Sequence, residues 1–92
     1  MQHFVLKLTA GEINPELCSQ AFTVAATALA AGVRVSMWLT GEATWFAVPG
    51  RAERFVLAEA APLSGLRDLI IAGGSLTVCA PCAARRGLTA AD

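Results

Sequence analysis

The chain has 92 residues, with seven basic and seven acidic side chains and a formal net charge of zero. This length predicts one domain, and the balanced charge argues against a nucleic-acid partner, which needs a basic stripe to neutralise phosphates. Hydrophobic residues make up 55% of the chain, which is more apolar surface than a small monomer buries easily. We therefore expect subunits to associate.

The first segment of the chain predicts a strand followed by a helix. The apolar run of residues 3–9 fits a short buried strand. Asn14 is a favourable N-cap and Pro15 suits the first helical position, so a helix should begin there. We expect this helix to end at about Ala31, because Gly32 follows and stops it.

This helix is apolar around most of its circumference, yet it does not predict a membrane span. Four polar residues interrupt the stretch 17–33, whereas a spanning helix needs roughly 20 predominantly apolar residues. The amino end also lacks the features of a secretory signal, so we expect a cytoplasmic protein with no membrane partner. Cys18, on the same helix, is interpreted as a small core residue.

The middle of the chain predicts a second strand, a short helical segment and a second helix. Val33–Leu39 is rich in β-branched and aromatic residues, which favour a strand. Trp45 and Phe46 lie in a segment of one or two helical turns, where we expect them in a core or an interface. Phe55–Leu57 is expected to be an apolar anchor or a short edge strand, and Leu63–Ala72 the next helix.

The last segment predicts a third strand, Leu76–Cys79, and a final helix that starts at Pro81 and is closed by Gly87. Strands separated by helices indicate right-handed crossovers, and hence an α/β fold with a small parallel sheet and helices on both faces.

In such a sheet, ligands and reactive groups collect beyond the carboxyl ends of the strands. Three predicted loops meet there: Thr9–Asn14, Thr40–Thr44 and Cys79–Cys82. Glu12 and Glu42 each bring one carboxylate to this edge, with Thr40 beside them. They can tune a thiol or bind a partner, although they can also be ordinary solvated loop residues.

The two cysteines of this edge have the spacing Cys-x-x-Cys at a strand-to-helix step. Cys79 ends the strand and Cys82 falls in the first turn of the helix, where the backbone N–H groups stabilise a thiolate. Arg85 and Arg86 add positive charge a turn or two further on. The motif is compatible with thiol chemistry, with half of a metal site, or with two packed thiols.

Two familiar uses of a Cys-x-x-Cys pair fit the chain poorly. The thioredoxin fold places its main sheet downstream of the motif, and only ten residues follow Cys82. A structural zinc site needs about four ligands, of which one pair supplies two. His3 is expected at the opposite end of the sheet, so we predict neither a metal site nor a cofactor.

The chain resembles the DsrE/DsrF-like family of small sulfur-relay proteins, which includes the TusD subunits. The resemblance rests on the sequences FVLKLTAGEINPE, VSMWLTGEATWFAV and, above all, VCAPCAARRGL. It implies a flavodoxin-like α/β fold assembled as trimers or hexamers, and it implies that Cys79 accepts sulfur as a persulfide. Cys82 matches a second cysteine present in short members, and the resemblance implies that it is a resolving or accessory thiol.

From this resemblance we expect a sulfurtransferase or sulfur carrier whose partners are sulfur donor and acceptor proteins and further copies of itself. Family members usually continue past the Arg-Gly-Leu sequence with a further strand, helix and strand. We therefore expect a single domain over residues 1–92 that lacks these strands. The alternative is a non-catalytic, oligomeric module that senses thiol redox state or holds a metal.

Overall fold

A computed structural model describes residues 3–88 and contains a three-stranded parallel sheet. Its strands are β1 (His3–Leu8), β2 (Arg34–Leu39) and β3 (Ser75–Val78), with β2 in the centre. Leu8 pairs with Leu39, and Leu39 pairs with Val78, so that all three strands end at the same level. The parallel α/β fold predicted from the sequence is confirmed.

The two long helices lie on the same face of this sheet. Helix α1 (Pro15–Ala30) packs on β1 and β2, whereas α2 (Leu63–Gly73) packs on β2 and β3 and also contacts α1. Because the strand order is β1-β2-β3, both crossovers step in the same direction, and two right-handed crossovers then place both helices on one side. The sequence predicted helices on both faces, and in this respect the placement of α1 and α2 differs from it.

The side chains of β2 alternate between the two faces. Val35, Met37 and Leu39 are buried under the helices, whereas Trp38 is partly exposed on the opposite face. Val5, in the neighbouring strand, is also 70% exposed. Within residues 3–88 no helix is long and apolar enough to cross a bilayer.

Glycines end α1 and the last helix, α3 (Ala80–Arg85), in the same way. After α1, Gly32 has a φ of +85°, and the N–H groups of Gly32 and Val33 bond back to helix carbonyls at 3.0 Å. Gly87 has a φ of +69° after α3, with the equivalent bonds from Gly87 and Leu88 at 3.1 and 2.9 Å. Both positions need the left-handed backbone that glycine adopts without strain, which is why the sequence predicted both ends well.

The segment between β2 and α2 is held by edge-to-face contacts between aromatic rings. It begins with a 3-10 helix, Gly41–Ala47, which agrees with the predicted one or two helical turns. Phe46 is fully buried and meets Phe22 and Phe55 edge to face, with ring centroids 6.1 and 5.8 Å apart. Phe55 is therefore an apolar anchor, and the alternative of a short edge strand is wrong.

Candidate functional site

The carboxyl ends of the three strands are joined by hydrogen bonds that continue past the sheet. The N–H of Thr40 donates to the carbonyl of Leu8, and the N–H of Cys79 donates to the carbonyl of Leu39, each at 2.9 Å. The hydroxyls of Thr9 and Thr40 are 2.8 Å apart. The three predicted loops do meet at one edge of the sheet.

The two cysteines of the motif lie within one helical turn of each other at this edge. Cys79 is the half-buried N-cap of α3, and Cys82 lies in the first turn with 9% of its surface exposed. A hydrogen bond from the Cys79 side chain lowers the pKa of the Cys82 thiol below its ordinary value, and the backbone N–H of Gly41 lowers it further. Burial opposes these effects, which the charges of Arg85 and Arg86 reinforce. The thiol whose pKa is lowered is thus the inner one, Cys82.

Arg86 links the end of α3 to the 3-10 helix. Its Nε donates to Oε2 of Glu42 at 2.9 Å, and its Nη1 donates to the carbonyl of Cys82 at 3.0 Å. The ring nitrogen of Trp45 donates to the same Glu42 oxygen at 3.2 Å. These hydrogen bonds, that of Arg86 above all, lower the pKa of Glu42, which therefore stays ionised near neutral pH.

Glu12 and Glu42 line a small pocket of about 130 Å³ next to this link. Arg51 also lines it, with its guanidinium 4.5 Å from the centroid of the Trp45 ring and 3.5 Å from the Glu12 carboxylate. Glu12 is therefore paired with Arg51, whereas the contact of Glu42 is with Arg86. Of the two carboxylates that the sequence placed at this edge, only Glu42 connects directly to α3.

The third cysteine, Cys18, differs from the Cys79–Cys82 pair in its burial and in the pKa of its thiol. Cys18 is fully buried in the core beneath the sheet edge, as the sequence predicted. Burial, assisted by the negative charge of Glu12, raises the pKa of its thiol to about 12. Cys18 is therefore a neutral thiol at any physiological pH and has no nucleophilic character.

The two further site residues predicted from the sequence are Arg85 and Thr40. Arg85 is exposed in the last turn of α3 and acts on Cys82 through its charge alone. Thr40 is buried and bonded to Thr9, so that it fixes the loop after β2. In the part of the chain that the structure describes, no three His, Cys, Asp or Glu side chains are grouped so as to hold a metal ion.

The model of the DsrE/DsrF-like family matches residues 2–92. The chain belongs to this family. Searches of curated proteins and of solved structures gave no match. The family is generally linked to sulfur relay, a class of chemistry that neighbouring thiols can support.

Two features of this DsrE/DsrF-like site are not among the residues selected from the sequence. The first is Gly41, whose backbone N–H helps to lower the pKa of Cys82 and whose φ of +53° could have been suspected from a glycine close after a strand. The second is the stack of Arg51 on Trp45. Arg51 belongs to an irregular segment, so that no local pattern indicated where its side chain lies.

Proposed function

We propose that this chain carries sulfane sulfur as a persulfide on Cys79, with Cys82 as the resolving or accessory thiol. The observation that supports the proposal is the placement of these two thiols in the N-cap and first turn of α3, at the carboxyl edge of a parallel sheet. A thiolate is the form that attacks sulfur, and the surroundings of Cys82 favour one. Membership of a family linked to sulfur relay supports the same chemistry.

Cys79 and Cys82 differ in exposure and in surroundings, and we therefore assign them different roles. Cys79 is the more exposed of the pair, so a protein-bound persulfide reaches it first. Cys82 is almost buried and its surroundings lower the pKa of its thiol, so in this proposal the Cys82 thiolate takes the proton of Cys79. Cys79 then becomes the attacking thiolate while the charge of the pair stays constant.

The transfer itself is a displacement at sulfur. The Cys79 thiolate attacks the outer sulfur of the donor persulfide, a new S–S bond forms, and the S–S bond of the donor breaks. The donor leaves as a thiolate and takes up a proton. Donor persulfide and Cys79 thiol thus become donor thiol and Cys79 persulfide, with no net oxidation. In a second displacement of the same kind, an acceptor thiol, or Cys82, removes the sulfur.

The proposed partners are sulfur donor and acceptor proteins together with further copies of this chain. Exposed apolar side chains such as Val5 and Trp38 on the open face of the sheet support association. The trimers or hexamers implied by the resemblance are part of the proposal, as is a cytoplasmic location.

Intact-protein mass spectrometry tests the persulfide directly. The protein is incubated with a cysteine desulfurase and L-cysteine, and a gain of about 32 Da, one sulfur atom, is sought and mapped by peptide analysis. We expect the gain on Cys79 in the wild type and its loss in Cys79→Ser. Cys18→Ala is the matched control, because it removes an unreactive thiol and should load normally. Wild-type protein that stays unloaded, or loads only on another cysteine, would contradict the proposal.

A second candidate function is a thiol redox switch, which the placement of Cys79 and Cys82 within one helical turn favours. Oxidised glutathione would take two electrons from the pair, so that an internal disulfide forms and two glutathione molecules are released. We expect a switch to change its assembly state on oxidation, measured by size-exclusion chromatography with light scattering. A carrier should keep its assembly state and lose only its capacity to accept sulfur.

A further inference from the structure

Helix α3 is too short to be stable by itself. It has six residues, whereas isolated helices shorter than about 12 residues are marginal in water. Cys79 and Cys82 lie at its start, three positions apart, so they meet only while the first turn is formed. The contacts that hold α3 therefore decide whether the two thiols can touch.

The amino end and the carboxyl end of α3 are held in different ways. At the start, the backbone N–H of Cys79 continues the β2–β3 hydrogen bonds through the carbonyl of Leu39. At the end, the N–H of Arg86 bonds to Ala83, and the carbonyl of Cys82 is bonded by the Arg86 guanidinium instead. Arg86 thus closes the helix that contains Cys82.

Glu42 fixes the position of Arg86. The Glu42 oxygen that receives Arg86 Nε also receives the ring N–H of Trp45, so the carboxylate is itself oriented by the 3-10 helix. Half of the Glu42 side chain is exposed, yet Arg86 is only 21% exposed, which places their contact at the edge of the protein interior. The guanidinium geometry allows Arg86 to bond to Glu42 and to the Cys82 carbonyl at the same time.

We propose that Glu42 is a positioning residue for the cysteine pair: through Arg86 it fixes the end of α3 and thereby holds Cys82 against Cys79. The inference rests on the proposed function for its significance, because it assigns the pair to one reactive site. Glu42 does not touch the reacting sulfur atoms. Its negative charge alone would disfavour a nearby thiolate, so a positioning role and a charge role predict opposite effects.

Alkylation by iodoacetamide, followed for each cysteine by peptide mass spectrometry, separates these roles in the resting protein. Glu42→Ala removes the anchor of Arg86. We expect it to slow alkylation of Cys82 at neutral pH by about threefold to tenfold. The midpoint of the pH profile of Cys82 alkylation should move upward by about half to one pH unit. Glu42→Gln keeps an oxygen that accepts from Arg86, and should stay near the wild type.

Two further variants complete the comparison. Arg86→Lys keeps the positive charge but cannot bridge Glu42 and the Cys82 carbonyl, so we expect the same slowing as in Glu42→Ala. Glu53→Ala is the matched control, because Glu53 is 50% exposed and pairs with Arg67 at 3.0 Å on another part of the surface. It should leave both cysteines unchanged.

Faster alkylation in both Glu42 variants would assign Glu42 a charge role and overturn the proposal. Wild-type behaviour of Glu42→Ala or of Arg86→Lys would overturn it as well. Circular dichroism of each variant verifies folding, and if Glu42→Ala does not fold, Arg86→Lys alone decides. The measurement needs no sulfur donor, so a protein that never accepts sulfur would contradict the proposed function and leave this result standing.

Discussion

The backbone N–H of Cys79 donates to the carbonyl of Leu39 at 2.9 Å, which attaches the first cysteine of the motif to the end of the central strand. This bond involves only backbone atoms, as does the bond from Ala83 to the Cys79 carbonyl at 3.0 Å. The side chain of Cys79 can therefore be replaced without loosening the start of α3, and substitutions there report on sulfur chemistry rather than on folding.

The hydrogen bond from Cys79 to Cys82 predicts different effects of alanine and serine at position 79. Cys79→Ala removes the donor, so the pKa of Cys82 should rise and its alkylation at neutral pH should slow by roughly threefold to tenfold. Cys79→Ser keeps a hydroxyl donor and should retain most of the lowered pKa. Iodoacetamide rates measured from about pH 5 to about pH 10 give both midpoints. Equal midpoints for the two variants would show that the hydrogen bond does not control Cys82.

Cys18 should make the fold less stable in alkali. Its thiol has a pKa of about 12 in the folded chain against an ordinary value of 9.0, so between these values the unfolded chain loses a proton that the folded chain keeps. The free energy of unfolding then falls as pH rises through this range, and Cys18 contributes no pH dependence below it. Urea unfolding at about pH 7 and about pH 10 should show that the free energy of unfolding falls more in the wild type than in Cys18→Ala.

If the free energy of unfolding falls equally in the wild type and in Cys18→Ala between the two pH values, the Cys18 thiol is not protected from ionisation. Native-state alkylation gives an independent check. Cys18 should stay unmodified under conditions in which Cys79 reacts, and should react once the protein is unfolded in urea.

The sequence was informative where a local signal sets the structure. Helix α1 does begin at Pro15 after Asn14, although the Asn14 side chain makes no capping hydrogen bond, so the fixed φ of proline is the signal that the structure supports. Gly32 and Gly87 marked helix ends because each needs a left-handed backbone. The strand-to-helix position of Cys79 and Cys82 followed from the same local patterns.

Features that depend on distant parts of the chain were harder to predict. The shared face of α1 and α2 depends on strand order, which no local pattern encodes. The acidity of Cys82 depends partly on an N–H from Gly41, which is contributed by a loop some 40 positions earlier in the chain. Arg51 reaches Trp45 from an irregular segment whose path depends on tertiary packing.

Gly41 should tolerate no side chain. Its φ is +53°, and a Cβ there would lie 2.9 Å from Cγ2 of Thr9. Gly50, with a φ of +90° and open space around it, is the matched control for backbone strain alone. We expect Gly50→Ala to cost about 1 kcal/mol and Gly41→Ala roughly 1–3 kcal/mol more, measured by urea unfolding.

The steric part of this effect should be reversible. Thr9→Ser removes Cγ2 but keeps the hydroxyl that bonds to Thr40, so the double variant with Gly41→Ala should regain most of the difference from Gly50→Ala. No recovery in the double variant would show that backbone strain, and not the contact with Thr9, limits position 41.

Two buried threonines of the same edge should respond in opposite ways to valine. Thr44 Oγ1 is fully buried and has no hydrogen-bond partner within residues 3–88, whereas Thr40 Oγ1 is bonded to Thr9 at 2.8 Å. A buried, unpaired hydroxyl is unfavourable by about 1–3 kcal/mol, so Thr44→Val should raise the free energy of unfolding by about 1 kcal/mol. Thr40→Val should lower it by a similar amount, because its hydrogen bond is lost and the Thr9 hydroxyl loses a partner. Urea unfolding of both variants, side by side with the wild type, measures the two changes. Destabilisation by Thr44→Val would mean that its hydroxyl has a partner, such as a bound water.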